Sequence, residues 1–110
     1  MITVKSSLTV KLEFDGGHAE FVFKYPRVNK VRRFSTEEDP FVRAEVVLGE
    51  LISLSGLVDD TGAPVTVEQA KEMDLPVNLL WALVAAYTSA AVNELRGPEA
   101  EPKNETSASA

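Results

Sequence analysis

Residues Leu75 to Val92 read LPVNLLWALVAAYTSAAV, a stretch of helical character with apolar side chains on nearly every side. In a chain of 110 residues, no other feature restricts the fold as much. A small domain covers one stripe of a helix and has too little mass to wrap all of it. Taken as a helix, the segment divides into three stripes. Leu80, Leu83, Tyr87, Ala90 or Ala91, and Glu94 form one, suited to the domain's own core. Trp81, Val84, Thr88, Val92 and Leu95 form a second. Ala82, Ala86, Ser89 and Asn93 form a third, whose small side chains let another backbone approach closely. The second stripe has no obvious internal partner, so these five residues are the candidate protein-binding set, with Trp81 as the typical anchor.

The same stretch is a poor membrane span. Its 18 residues sit near the lower limit for crossing hydrocarbon, and they include Pro76, Asn78, Thr88 and Ser89. The chain opens directly on a strand pattern, without a charged-then-apolar leader, so a soluble, cytoplasmic protein is expected.

From Val4 to Phe14 apolar and polar residues alternate, and alternation resumes from Ala19 to Tyr25 after Asp15-Gly16-Gly17-His18. Period two across a turn that tolerates positive φ is a β-hairpin. Beyond Pro26, residues 27–34 (RVNKVRRF) read as a third short strand or an irregular connector. Ser35-Thr36-Glu37-Glu38 fits a capping box, and Asp39-Pro40 offers a second helix start a turn later. The helix that follows carries Phe41, Ala44, Val47, Leu48, Leu51, Ile52 and Leu54 at three- and four-residue spacing, with Gly56 as its stop. Asp59-Asp60-Thr61-Gly62 is a turn, flanked by a short extended pair at 57–58 and 65–66. Thr66-Val67-Glu68-Gln69 caps a brief helix to about Met73, and Leu75-Pro76 opens the long helix, which runs to about Leu95. The expected fold is α+β: an N-terminal β-hairpin of two to three antiparallel strands packed on two main α-helices plus one short helix. It forms a single domain over 1–97, with a hairpin region at 1–35 and a helical region at 36–97. The last residues, 98–110, hold no large apolar side chain and are expected to form a disordered tail.

Chemistry-bearing motifs are scarce. There is no cysteine, and the single histidine, His18, sits in a turn without a companion. The Asp59 turn lacks the closing glutamate of a calcium loop, since the twelfth position is Ala70. Glu37, Glu38 and Asp39 complement a helix start. No catalytic, cofactor-binding or metal-ligating residue is expected, and no cofactor. The net charge of −6 argues against nucleic acid as the main partner. It is unevenly spread: residues 1–35 hold seven Lys/Arg against Glu13, Asp15 and Glu20. Within that half, Lys24, Arg27, Lys30, Arg32 and Arg33 form a basic segment, the candidate electrostatic contact for an acidic protein surface.

The order of elements carries a resemblance. The run from Gly56 to Thr66 (GLVDDTGAPVT), then a short capped helix, then Leu75-Pro76 and an apolar helix, resembles the tail assembly chaperones of long-tailed bacteriophages. The resemblance covers roughly residues 21–103. It implies a non-enzymatic protein of the host cytoplasm that coats the hydrophobic tape-measure protein until tail-tube subunits polymerise around it. The partners implied are that client and further copies of the chain. A frameshifted longer form occurs in many such phages, and Pro102-Lys103-Asn104 could be encoded across a slippery run of adenines. Two other readings remain open. One is a small tail or head-completion adaptor that stays in the particle. The other is a small regulator that binds nucleic acid or an acidic protein through residues 24–33.

Overall fold

The computed structural model describes residues 1–96, with the backbone alone at 95 and 96; the tail expected over 98–110 lies outside the described residues. The architecture is α+β. Strand β1 (Ser7–Phe14) pairs antiparallel with β2 (Gly17–Lys24), and β2 pairs antiparallel with β3 (Leu51–Ser55), giving the sheet order β1-β2-β3. Between β2 and β3 the chain makes α1 (Val28–Thr36) and α2 (Pro40–Gly49). After β3 come α3 (Val67–Lys71) and α4 (Val77–Arg96).

The hairpin forms as its alternation demands. Asp15 and Gly16 both have positive φ, 53° and 81°, the geometry of a two-residue turn whose twist matches the flanking strands. The register then sets Leu8 opposite Phe23, Val10 opposite Phe21 and Leu12 opposite Ala19, placing one apolar row on the helix side of the sheet. Phe21 and Phe23 are completely buried there.

The third strand is not the one expected. Residues 27–34 are neither strand nor irregular connector; most of them belong to α1. Val28, Val31 and Phe34 recur every third residue, a spacing that alternation cannot place on one face but a helix can. The chain pays little attention to propensity here: Arg27 makes no side-chain cap, and no α1 residue is fully buried. At the far end the Thr36 hydroxyl donates to the Arg32 carbonyl at 2.9 Å, closing α1 rather than opening the next helix. The second start signal therefore opens α2. Asp39 caps it by accepting the Phe41 N–H at 2.9 Å, with Pro40 in the first turn.

α2 is shorter than its apolar spacing predicts. It ends at Gly49, and residues 51–55, expected as helix, form β3. The misleading signal has a physical origin. Val22 pairs with Ser53 while Phe23 pairs with Leu51, so Ile52 is the extra residue of a β-bulge. The bulge puts Leu51 and Leu54 on the same face although they are three residues apart, which mimics helical spacing. Gly56, expected to stop a helix, ends this strand instead. Its φ is +85°, and a Cβ there would sit 2.7 Å from the His18 carbonyl oxygen.

The remaining elements follow expectation. Val58 bridges Pro64 across the Asp59 turn. Thr66 and Gln69 form a reciprocal capping box at the start of α3. α4 packs beneath β1 and beside α2, and its Leu80, Leu83, Tyr87 and Ala91 enter the core with Val10, Leu12, Phe21, Phe23, Val47, Leu48 and Leu51. Phe23 and Tyr87 meet at 4.8 Å between ring centroids, joining sheet to helix at the centre. Near the end of α4, Glu94 accepts the Tyr25 hydroxyl and lies 3.4 Å from the Lys5 Nζ, tying the helix to the strand ends.

Candidate protein-binding surface

The stripe Trp81, Val84, Thr88 and Val92 lies on the flank of α4 that faces α2, with Leu95 in the last turn of the helix. It is partly covered. Trp81, Val84 and Thr88 are half-buried, and Val92 is exposed. The expectation that Trp81 lacks an internal partner is corrected by Phe41, whose ring centroid lies 5.1 Å away at an interplanar angle of 54°. Thr88 satisfies its own hydroxyl by donating to the Val84 carbonyl at 2.7 Å. What the stripe offers is therefore an aromatic pair at the rim of a shallow hollow bounded by Phe34, Pro40, Arg43, Trp81, Val84 and Thr88.

Phe41 is the residue that sequence reasoning misplaced. The apolar spacing sets it in one row with Ala44, Val47 and Leu48, yet it is 53% exposed in the first turn of α2, while those three are buried. The signal was present in Asp39-Pro40: a helix opening there puts residue 41 at its tip, where little chain is available to cover it.

A second hollow, about 110 Å³, lies between α1, α2 and α4, lined mainly by Val31, Phe34, Val47, Tyr87 and Ala91. Glu50 stands at its border, 8% exposed, with Lys30 Nζ 3.7 Å from its carboxylate. Burial first, and then the Glu50 charge, push the Tyr87 hydroxyl above its ordinary range.

The basic segment is spread over two elements. Lys24 ends β2, Arg27 precedes α1, and Lys30, Arg32 and Arg33 lie within α1. Lys30 pairs with Glu50, and all five basic residues are exposed. Helical geometry sets Arg32 and Arg33 about 100° apart around the axis, so the five charges do not form one continuous track. Arg43 reaches back over the Phe34 ring at 5.8 Å.

The Asp59 turn uses its carboxylate internally. Oδ1 accepts from the Thr61 N–H, the Thr61 hydroxyl and the Ala63 N–H, and these bonds, led by the hydroxyl, hold the carboxyl below its ordinary range. That is an Asx-type turn stabilising its own backbone. Among the described residues no group of three or more His, Asp or Glu side chains is placed to hold a metal ion. No helix among them is long and apolar enough to cross a membrane.

No protein-family model matches the chain, no curated protein matches it, and no solved structure matches it.

Proposed function

We propose that this protein is a non-enzymatic assembly chaperone of the phage-tail type, working in the host cytoplasm. It binds apolar helical segments of a tape-measure client through the α2–α4 flank and associates with further copies of itself. The observation that supports this reading is the Phe41–Trp81 pair: two large aromatic rings at a domain rim, continued along α4 by half-buried Val84 and Thr88 and exposed Val92. An amphipathic client helix reads such a band through anchors three and four residues apart. The layout of turn, short capped helix and long apolar helix agrees with the same reading.

The test is co-expression with a phage tape-measure protein as the client. Phe41→Glu changes an exposed side chain and should leave the fold intact while weakening client capture by about tenfold or more, the usual scale for an interface anchor. Unchanged capture by folded Phe41→Glu, or finding the protein as a constituent of purified virions, would refute the chaperone assignment.

A further inference from the structure

The two edges of the sheet are treated differently. The β3 edge carries the Ile52 bulge and has α3 packed against it. Bulges and covering elements are the usual means of keeping a strand edge from pairing with another chain. The β1 edge has neither. Its eight residues pair with β2 without a register shift, and they include no proline and no charge pointing into the core.

The turn fixes which backbone groups that edge presents. In a two-residue hairpin the flanking pair, Phe14 and Gly17, exchanges hydrogen bonds, so Leu12, Val10 and Leu8 also direct theirs to β2. The Tyr25 N–H donating to the Ser6 carbonyl continues the same alternation. Ser7, Thr9, Lys11 and Glu13 therefore aim their N–H and C=O groups away from the sheet. Their side chains stand on its open face and are exposed.

We propose that the β1 edge pairs with β1 of a second copy, antiparallel about a two-fold axis at Leu12, to make a continuous six-stranded sheet. Charge selects the register. Centred on Leu12, each Lys11 faces Glu13 of the second copy, and both are residues whose backbone groups point outward. Centred on Lys11, two lysines would oppose each other; centred on Val10, each charge would face a Ser or Thr hydroxyl. Opposite charges directly across a ladder stabilise the pairing, and like charges oppose it. On the helix side, Leu12 meets its own copy and half-buried Phe14 gains Val10 of the second copy. Beneath this edge lies α4. Its Trp81–Val84–Thr88 flank faces α2, so half-buried Ala82, Ala86 and Ala90 occupy the opposite flank, where side chains of one carbon leave room for a second copy's helix layer. This dimer gives the self-association of the proposed function a specific interface, and it does not depend on client binding.

Sedimentation of the purified full chain, without any client, tests the proposal. The expected species is a dimer of the 12.0 kDa chain. Lys11→Glu should weaken dimerisation by about tenfold or more, since two attractive pairs become repulsive. That variant also meets Glu20 within its own hairpin, because Lys11 pairs with Glu20. The double variant Lys11→Glu/Glu13→Lys keeps this internal mismatch yet restores the intermolecular pairs, so it should recover the dimer. A wild-type monomer throughout the micromolar range would overturn the proposal. So would a dimer indifferent to Lys11→Glu, or a double variant no better than the single one.

Discussion

Phe41 and Trp81 meet with ring centroids 5.1 Å apart and their planes inclined at 54°, closing the first turn of α2 onto the second turn of α4. The tilt brings the edge of one ring toward the face of the other, an arrangement that stabilises an aromatic pair beyond the area it buries. The contact joins the helix that precedes β3 to the long helix that follows it. It also places the only tryptophan at the surface proposed to take the client.

Phe41→Ala should therefore lower stability by about 0.5–1.5 kcal/mol from the aromatic contact alone. It should also move Trp81 fluorescence to longer wavelength as water reaches the indole. Urea unfolding and emission spectra of the folded variant measure both. An unshifted emission maximum would mean that the rings do not meet in solution.

Phe23 is wholly buried and packs against Tyr87 with the two rings tilted by 59°. Replacing it with alanine should cost about 3–5 kcal/mol, the range for a phenylalanine removed from a core that relaxes only partly. For a domain of this size that is a large share of the total stability. Thermal melting should show a transition displaced far downward, or a chain unfolded at room temperature.

Two glycines of nearly equal φ separate strain from crowding. Gly56 at +85° has the His18 carbonyl where a Cβ would go, whereas Gly62 at +87° faces open space. Gly62→Ala should cost about 1–2 kcal/mol, for the left-handed backbone alone. Gly56→Ala should cost more, because the β2–β3 approach must also widen. Equal losses in denaturant midpoints would show that the strand end gives way freely.

Acid should loosen the link between the sheet and the end of α4. The Tyr25 hydroxyl first, and Lys5 second, hold the Glu94 carboxyl below its ordinary 4.5. A carboxyl depressed in the folded state contributes stability that is present above its ordinary value and lost as pH falls through the depressed one. Tyr25→Phe removes the leading cause, so its melting temperature should fall less steeply than wild type through the acid range. At the alkaline end the sign reverses. Tyr25, bonded to Glu94, and Tyr87, buried beside Glu50, are both raised above 10.0, so their contribution is complete below that pH and lost above it. Ultraviolet titration should show tyrosinate appearing late, together with unfolding.

The hairpin, the capping box at Thr66 and the core stripe of α4 were legible because one local rule governed each of them. Alternation from Leu8 to Phe14 and from Ala19 to Phe23 admits a single register once Asp15-Gly16 closes the turn. The segment 27–55 was not legible, since two patterns there point the wrong way. Val28, Val31 and Phe34 look like a broken strand but are one weak helical row. Val47, Leu48, Leu51 and Leu54 look like a continued helix, and only the bulge at Ile52 reconciles the last two with a strand. A bulge depends on the neighbouring strand, so sequence-local reasoning has no access to it. At the candidate surface, the Trp81 stripe could be named from spacing alone. Its partner Phe41 required knowing which of two helix starts the chain uses.

α1 stands between β2 and α2 with no fully buried residue and Val28 82% exposed. Its nine residues contribute little to the free-energy gap that holds the core closed, so they can open without the sheet opening. Amide hydrogens over 28–36 should exchange with deuterium well ahead of those in β2 and α4, through a local fluctuation insensitive to mild denaturant. Opening α1 would bare the hollow that Val47, Tyr87 and Ala91 line, so the same exchange experiment reports on access to the core from that side.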